Sequence, residues 1–194
     1  ELGKEFMDNT AALVETLDEI STKVAAAVNH DDPVIDQMLM IKQLAWLMRN
    51  TAGEASLLVS NGLAAGSMTP DVRQTYTKLV GGTEAAWNAL QAVAASTEMP
   101  PGFIQAMADA KTAYFDPQFL AQRERLINAL LSGDKPEMKA NEWNPFSVQH
   151  LTSIVAVAER ALDIARDYAA AQHASAQRLL VLQLVLLTSA IVLT

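Results

Sequence analysis

The chain has 194 residues, a net charge of −8, no cysteine, and 51% hydrophobic residues of which few are aromatic. That excludes disulfides and thiolate metal sites, and without a basic stripe it argues against a nucleic-acid partner. Ala, Leu, Glu, Gln and Met favour helices, and the abundance of small alanines lets helices pack closely, so an all-α bundle is expected.

Residues 1–29 read as a first helix. Phe6, Thr10, Leu13, Leu17, Ile20, Val24 and Ala27 repeat at 4-3 spacing, the seam of a coiled coil or long bundle. Asn29-His30-Asp31-Asp32-Pro33 ends it, with Asp32 as cap and Pro33 at the first position of the next helix. His30-Asp31-Asp32 contains metal-ligating side chains, but a turn and cap account for it. The chain opens at Glu1 rather than at a methionine, and we expect an anchor or signal upstream.

The second helix spans about 33–65. Met38, Ile41, Ala45, Met48, Ala52, Ala55 and Val59 form a second seam, widened by Leu39, Leu44, Leu47, Leu57 and Leu58. Thr69 or Ser67 caps a third helix over about 70–96, continuous but kinked at Gly81-Gly82. Glu98-Met99-Pro100-Pro101-Gly102 breaks the chain. A short helix covers 103–115 and another 118–132, with Asp116-Pro117 either a kink or a hairpin between them. Residues 141–146 read as irregular before a last helix from Ser147.

Val148, Leu151, Val155, Ala158, Leu162, Ala165, Ala169, Gln172, Ala176 and Leu179 carry that last helix's seam into an uncharged run from Leu179 to Thr194. A spanning helix needs about 20 apolar residues, so we expect this run to be the outer part of a truncated transmembrane helix. Residues 1–177 are then an extracytoplasmic domain and 178–194 the start of the membrane segment. If an anchor preceded Glu1, the first helix would rise from the membrane and the last descend to it. An even helix number follows, which favours a hairpin at Asp116-Pro117 and an elongated up-down bundle of about six helices, four long and two short.

Several stretches carry a resemblance. They are Leu44-Ala45-Trp46-Leu47-Met48-Arg49-Asn50-Thr51-Ala52-Gly53-Glu54, the Gly62–Gly66 segment, Ala86-Trp87-Asn88-Ala89-Leu90, Glu142-Trp143, and Ala161-Leu162-Asp163-Ile164-Ala165-Arg166-Asp167. Together, over roughly residues 35–180, they resemble the all-helical periplasmic sensor domains of bacterial chemoreceptors, histidine kinases and diguanylate cyclases, in particular the nitrate/nitrite-sensing type and related bundles. The resemblance implies a small-molecule sensor in the inner membrane, facing the periplasm, within a two-component or chemotaxis system, and the seams of the first and last helices suit a homodimer interface. In the nitrate-sensing type, arginines near this point are expected to hold the anion. Here Arg49 stands without a second arginine after Gly53, and Glu54 would repel an anion, so the implied ligand is a different small molecule.

Lys42, Trp46, Arg49 and Gly53 share one helical face, with Asn50 and Glu54 beside them. Arg49 and Asn50 would supply donors, Trp46 an apolar wall and Gly53 room for close approach. Trp87 and Trp143 could complete an aromatic pocket or simply fill core gaps. Arg123-Glu124-Arg125 reads as a solvated charge run, with a bound anion as the alternative. Isolated His30, His150 and His173 suggest no metal centre, and no nucleophile motif or phosphate loop is present. Neither catalytic residues nor a cofactor are expected in this part of the protein, although an output enzyme could follow it. The rival readings are an oligomerisation stalk and a periplasmic protein-binding module.

Overall fold

A computed structural model describes residues 2–28 and 32–192. Asn29, His30 and Asp31 of the first turn, Thr194 at the end of the tail, and the side chain of Phe6 lie outside the described residues. Among the described residues the chain is all-α, in the order α1 (Leu2–Val28), α2 (Pro33–Ala65), α3 (Pro70–Ala94), α4 (Pro101–Tyr114), α5 (Pro117–Ser132) and α6 (Ala140–Val192).

Local chemistry sets most of these boundaries. Helices α2 to α5 each carry proline in the first turn, where its missing N–H costs nothing. Asp32 Oδ1 accepts from the Val34 and Ile35 amides at 2.8 and 3.3 Å, and Asp116 Oδ2 accepts from the Phe119 amide at 2.9 Å. Gly66 and Gly133 close α2 and α5 with φ of 74° and 76°, a left-handed conformation that glycine adopts without a Cβ penalty.

Helix α2 is the central strut. Its heptad seam of Met38, Ile41, Ala45, Met48, Ala52, Ala55 and Val59 is buried along its whole length, against α3 on one side and α6 on the other. Thr83, wholly buried on α3, has its hydroxyl within hydrogen-bond distance of both the Leu79 carbonyl, at 2.9 Å, and Thr51 Oγ1 of α2, at 3.0 Å. Helix α3 is continuous through Gly81-Gly82.

The chain at Asp116-Pro117 bends but does not reverse, contrary to the expected hairpin. The Ala113 carbonyl lies 2.7 Å from His150 Nδ1. Phe119 then stacks near His150 and Trp143, and Leu130 reaches Met68 at the α2–α3 turn. Residues 102–109 of α4 face 149–160 of α6, Ala113 meets His150 and Phe119 meets Phe146 and Trp143, and Leu130 lies beyond them at the α2–α3 turn, so α4 and α5 run on in one direction, antiparallel to α6. Proline at 117 removes one helical hydrogen bond, and the Asp116 cap restarts the helix in the same sense.

The direction of α1 also differs from the expected rise. Lys42 Nζ donates to Ser21 Oγ at 2.6 Å, while Thr10, Val14, Glu15 and Asp18 face the 49–57 segment of α2. Helix α1 therefore runs antiparallel to α2 and toward the same end as the tail of α6. With α1 descending, the α5–α6 connection needs no crossing of the bundle, and α1 and α6 run in the same direction without an even number of passes.

Helix α6 begins at Ala140, seven residues before the expected start, with Pro145 inside it. Proline there leaves the Asn141 carbonyl without its usual amide, a cost of up to about 3 kcal/mol. Two features outweigh it. Glu142 Oε2 accepts from the Lys139 amide at 2.8 Å, as in a capping box. Trp143 is wholly buried, a transfer worth roughly 4–6 kcal/mol. The buried stripe is Trp143, Ser147, Leu151, Ile154, Val157, Ala158 and Ala161. It shares only Leu151 and Ala158 with the expected seam, because α6 packs on α4 as well as α2.

Tyr168 Oη donates to Asp32 Oδ2 at 3.0 Å, and beyond it α6 leaves the bundle. From Ala169 to Ser189 every residue is exposed, including Leu179, Leu180, Val181, Leu182, Leu184, Val185, Leu186 and Leu187. The 53-residue helix is about 80 Å long at 1.5 Å per residue. Among the described residues no helix is long and apolar enough to cross a membrane.

Candidate functional site

Three helices border an open cleft of about 660 Å³. Helix α1 contributes Thr10, Val14, Glu15 and Asp18. Helix α2 contributes Arg49, Asn50, Gly53, Glu54, Ser56 and Leu57, and α6 contributes Asn144, Ser147, Val148 and Leu151. The volume falls in the range of small-molecule sites. Helical spacing explains the α2 share, because residues 49, 53 and 56 recur on one face.

Gly53 has a local reason to be glycine. A Cβ there would lie 3.2 Å from Arg49 Nη1, so its absence lets the guanidinium lie back over the helix. Arg49 has no carboxylate partner within ion-pair distance among the described residues. Across the floor, Ser56 Oγ donates to Ser147 Oγ at 2.8 Å, and Ser147 Oγ donates to the Asn144 carbonyl at 3.1 Å. Three carboxylates (Glu15, Asp18 and Glu54) line the cleft beside one guanidinium. That balance disfavours an inorganic anion and favours a ligand with both a cationic group, facing the carboxylates, and an anionic or acceptor group, facing Arg49.

Of the residues singled out from sequence, the fold brings Arg49, Asn50, Gly53 and Glu54 into this cleft. Lys42 instead ties α2 to Ser21. Trp46 is half-buried on α2 and does not line the cleft. Trp143 is a core residue, its ring parallel to Phe119 at 5.9 Å and its Nε1–H donated to the Ser56 carbonyl at 3.0 Å. Trp87, also buried, packs on Phe115 at 5.6 Å. The three tryptophans therefore do not share a pocket.

A second concavity, about 260 Å³, is lined by Val80, Glu84, Tyr114, Phe115, Leu120, Arg123 and Glu124. Arg123, read from sequence as solvated, is only 7% exposed. Its guanidinium carbon lies 5.6 Å from the Tyr76 ring centre, 5.9 Å from Tyr114 and 5.6 Å from Phe119. Desolvated cation–π contacts of this kind are worth up to about 2 kcal/mol each. Arg123 Nη1 donates to Tyr114 Oη at 3.3 Å. The neighbouring acid is engaged elsewhere, since Glu124 takes Arg73 in a fork at 2.6 and 3.3 Å, and that hydrogen bond raises the Arg73 pKa. Burial pushes the Tyr76 phenol up to about 12, against an opposing pull from Arg123. Arg125 is exposed and bonded to Glu137 at 2.9 Å. The sequence did hold a signal for this site: Phe119, Arg123, Leu126, Ile127 and Leu130 form one apolar stripe with a cation in it.

Compared with known proteins, the chain matches no family model, no curated protein and no solved structure.

Proposed function

We propose that this chain is the ligand-sensing part of a membrane-anchored bacterial signal transducer, facing the periplasm and passing a conformational change through α6. The observation that carries the reading is the double role of α6. Asn144, Ser147, Val148 and Leu151 form one wall of the cleft, and the same helix continues unbroken to an exposed apolar end. A molecule wedged between α1, α2 and α6 shifts a rigid rod, and the shift arrives at the far end. The apolar end is the membrane-facing part of the proposal, continued into lipid by further apolar residues.

A homodimer belongs to the same reading. Leu13, Leu17, Ile20 and Val24 of α1 are each more than half exposed, and their 4-3 spacing suits a second copy of the helix. A bare stalk would use this seam equally well, but it has no use for a cleft lined by an Arg49 without an ion pair among the described residues.

The test is a thermal-shift screen of small metabolites on the full chain, followed by distance measurement between spin labels at Gln43 and Ala176. The chain has no native cysteine to interfere. Hits should lose their effect in Arg49→Ala, and binding should change the label distance. Hits that survive both Arg49→Ala and Gly53→Leu, or that leave the distance fixed, overturn the proposal.

A further inference from the structure

We propose that the cavity at Arg123 binds a small monocarboxylate with an apolar body, held by the Arg123 guanidinium. The site is separate from the α1/α2/α6 cleft and needs no signalling role.

A guanidinium taken out of water calls for an anion. Arg123 has no carboxylate within ion-pair distance among the described residues, because Glu124 is committed to Arg73. Its one hydrogen bond runs from Nη1 to a neutral phenol, Tyr114. Among the described residues no fully buried side-chain donor is left without a partner, so the remaining Nε and Nη2 donors keep some access to solvent, and Arg123 lines the cavity. Those two N–H groups form one edge of the guanidinium plane, the edge that receives a carboxylate through two parallel hydrogen bonds. The three surrounding rings fix that plane, so the edge is preorganised rather than mobile.

The other walls define the rest of the ligand. Val80, Leu120 and Phe115 are apolar, which favours a hydrocarbon or aromatic body over an inorganic anion. At about 260 Å³ the space is smaller than a drug-sized pocket, which limits the body to about the size of benzoate. Glu84 is exposed at the rim and Glu124 lies alongside. Their charges act against a dianion or a phosphate.

The experiment is calorimetric titration of the full chain with benzoate, phenylacetate and isovalerate, each against its neutral amide. At least one carboxylate should bind tenfold or more tightly than its amide. Arg123→Gln should bring that ratio to about one, and Glu84→Gln should tighten the carboxylate several-fold with the amide unchanged. Leu120→Trp, which fills the cavity and leaves the charges in place, should abolish both. Equal binding of acid and amide, no binding by any of the three acids, or a preference that persists in Leu120→Trp overturns the proposal. Should Arg123→Gln fail to fold by circular dichroism, the Glu84 and Leu120 variants decide between these outcomes.

Discussion

The indole of Trp143 donates to the main-chain oxygen of Ser56, 87 residues earlier, at 3.0 Å. That carbonyl lies within α2, so the bond ties the first turn of α6 to the central strut. It holds α6 in register beside the cleft and lets the helix begin ahead of Pro145. Trp143→Phe should cost about 1–2 kcal/mol, since it leaves the stack on Phe119 but removes the donor. Trp143→Ala should cost about 3–5 kcal/mol through the cavity it leaves. Urea denaturation of both variants checks the order. Equal losses would mean that the hydrogen bond is idle.

Two glycines should respond oppositely to alanine. At Gly81 an added Cβ meets nothing within 4 Å, so Gly81→Ala should stabilise α3 by about 0.5–1 kcal/mol. At Gly62 the Cβ would fall 2.9 Å from Leu130 Cδ1 in a buried contact, and Gly62→Ala should destabilise by about 1–3 kcal/mol despite the gain in helix propensity. Thermal melts of the pair give the signs directly.

Alkaline stability should follow Tyr76. Its folded pKa, raised to about 12 by burial, exceeds the unfolded value near 10. Between those values the folded state holds a proton that the unfolded state has lost, so stability falls as pH rises. The contribution, roughly 2–3 kcal/mol, is complete below pH 10 and lost by about pH 12. Denaturant midpoints measured from pH 9 to 12 should show this decline, and Tyr76→Phe should flatten it.

Removal of residues 178–194 should leave the bundle intact. Every residue described from Ala169 to Ser189 is exposed, so among the described residues truncation takes away no core contact, and the melting temperature should move by less than about 2 °C. The same truncation should abolish flotation with phosphatidylethanolamine/phosphatidylglycerol vesicles, which the full chain should show. Equal flotation of both forms would remove the membrane from the proposed function.

The helices α2 to α5 and the α2 seam were legible in the sequence because each depends on neighbours in the chain. Asp32, Pro33, Gly66, Asp116 and Gly133 act within a turn or two of themselves, and a heptad repeat declares a buried face wherever its partner lies. The clustering of Arg49, Asn50, Gly53 and Glu54 followed from the same local periodicity.

Tertiary structure alone decided the rest. The direction of α1 and the bend at Asp116-Pro117 depend on which faces meet, and a helix restarting after proline can run on or turn back with the same local hydrogen bonds. The start of α6 depended on Trp143 finding Ser56 and Phe119. Arg123 is buried because Tyr76, Tyr114 and Phe119, borne on three different segments, converge on it. A cation at the head of an Arg-Glu-Arg run reads as solvated until those rings are brought together, since desolvation is set by what surrounds a group in space and not along the chain.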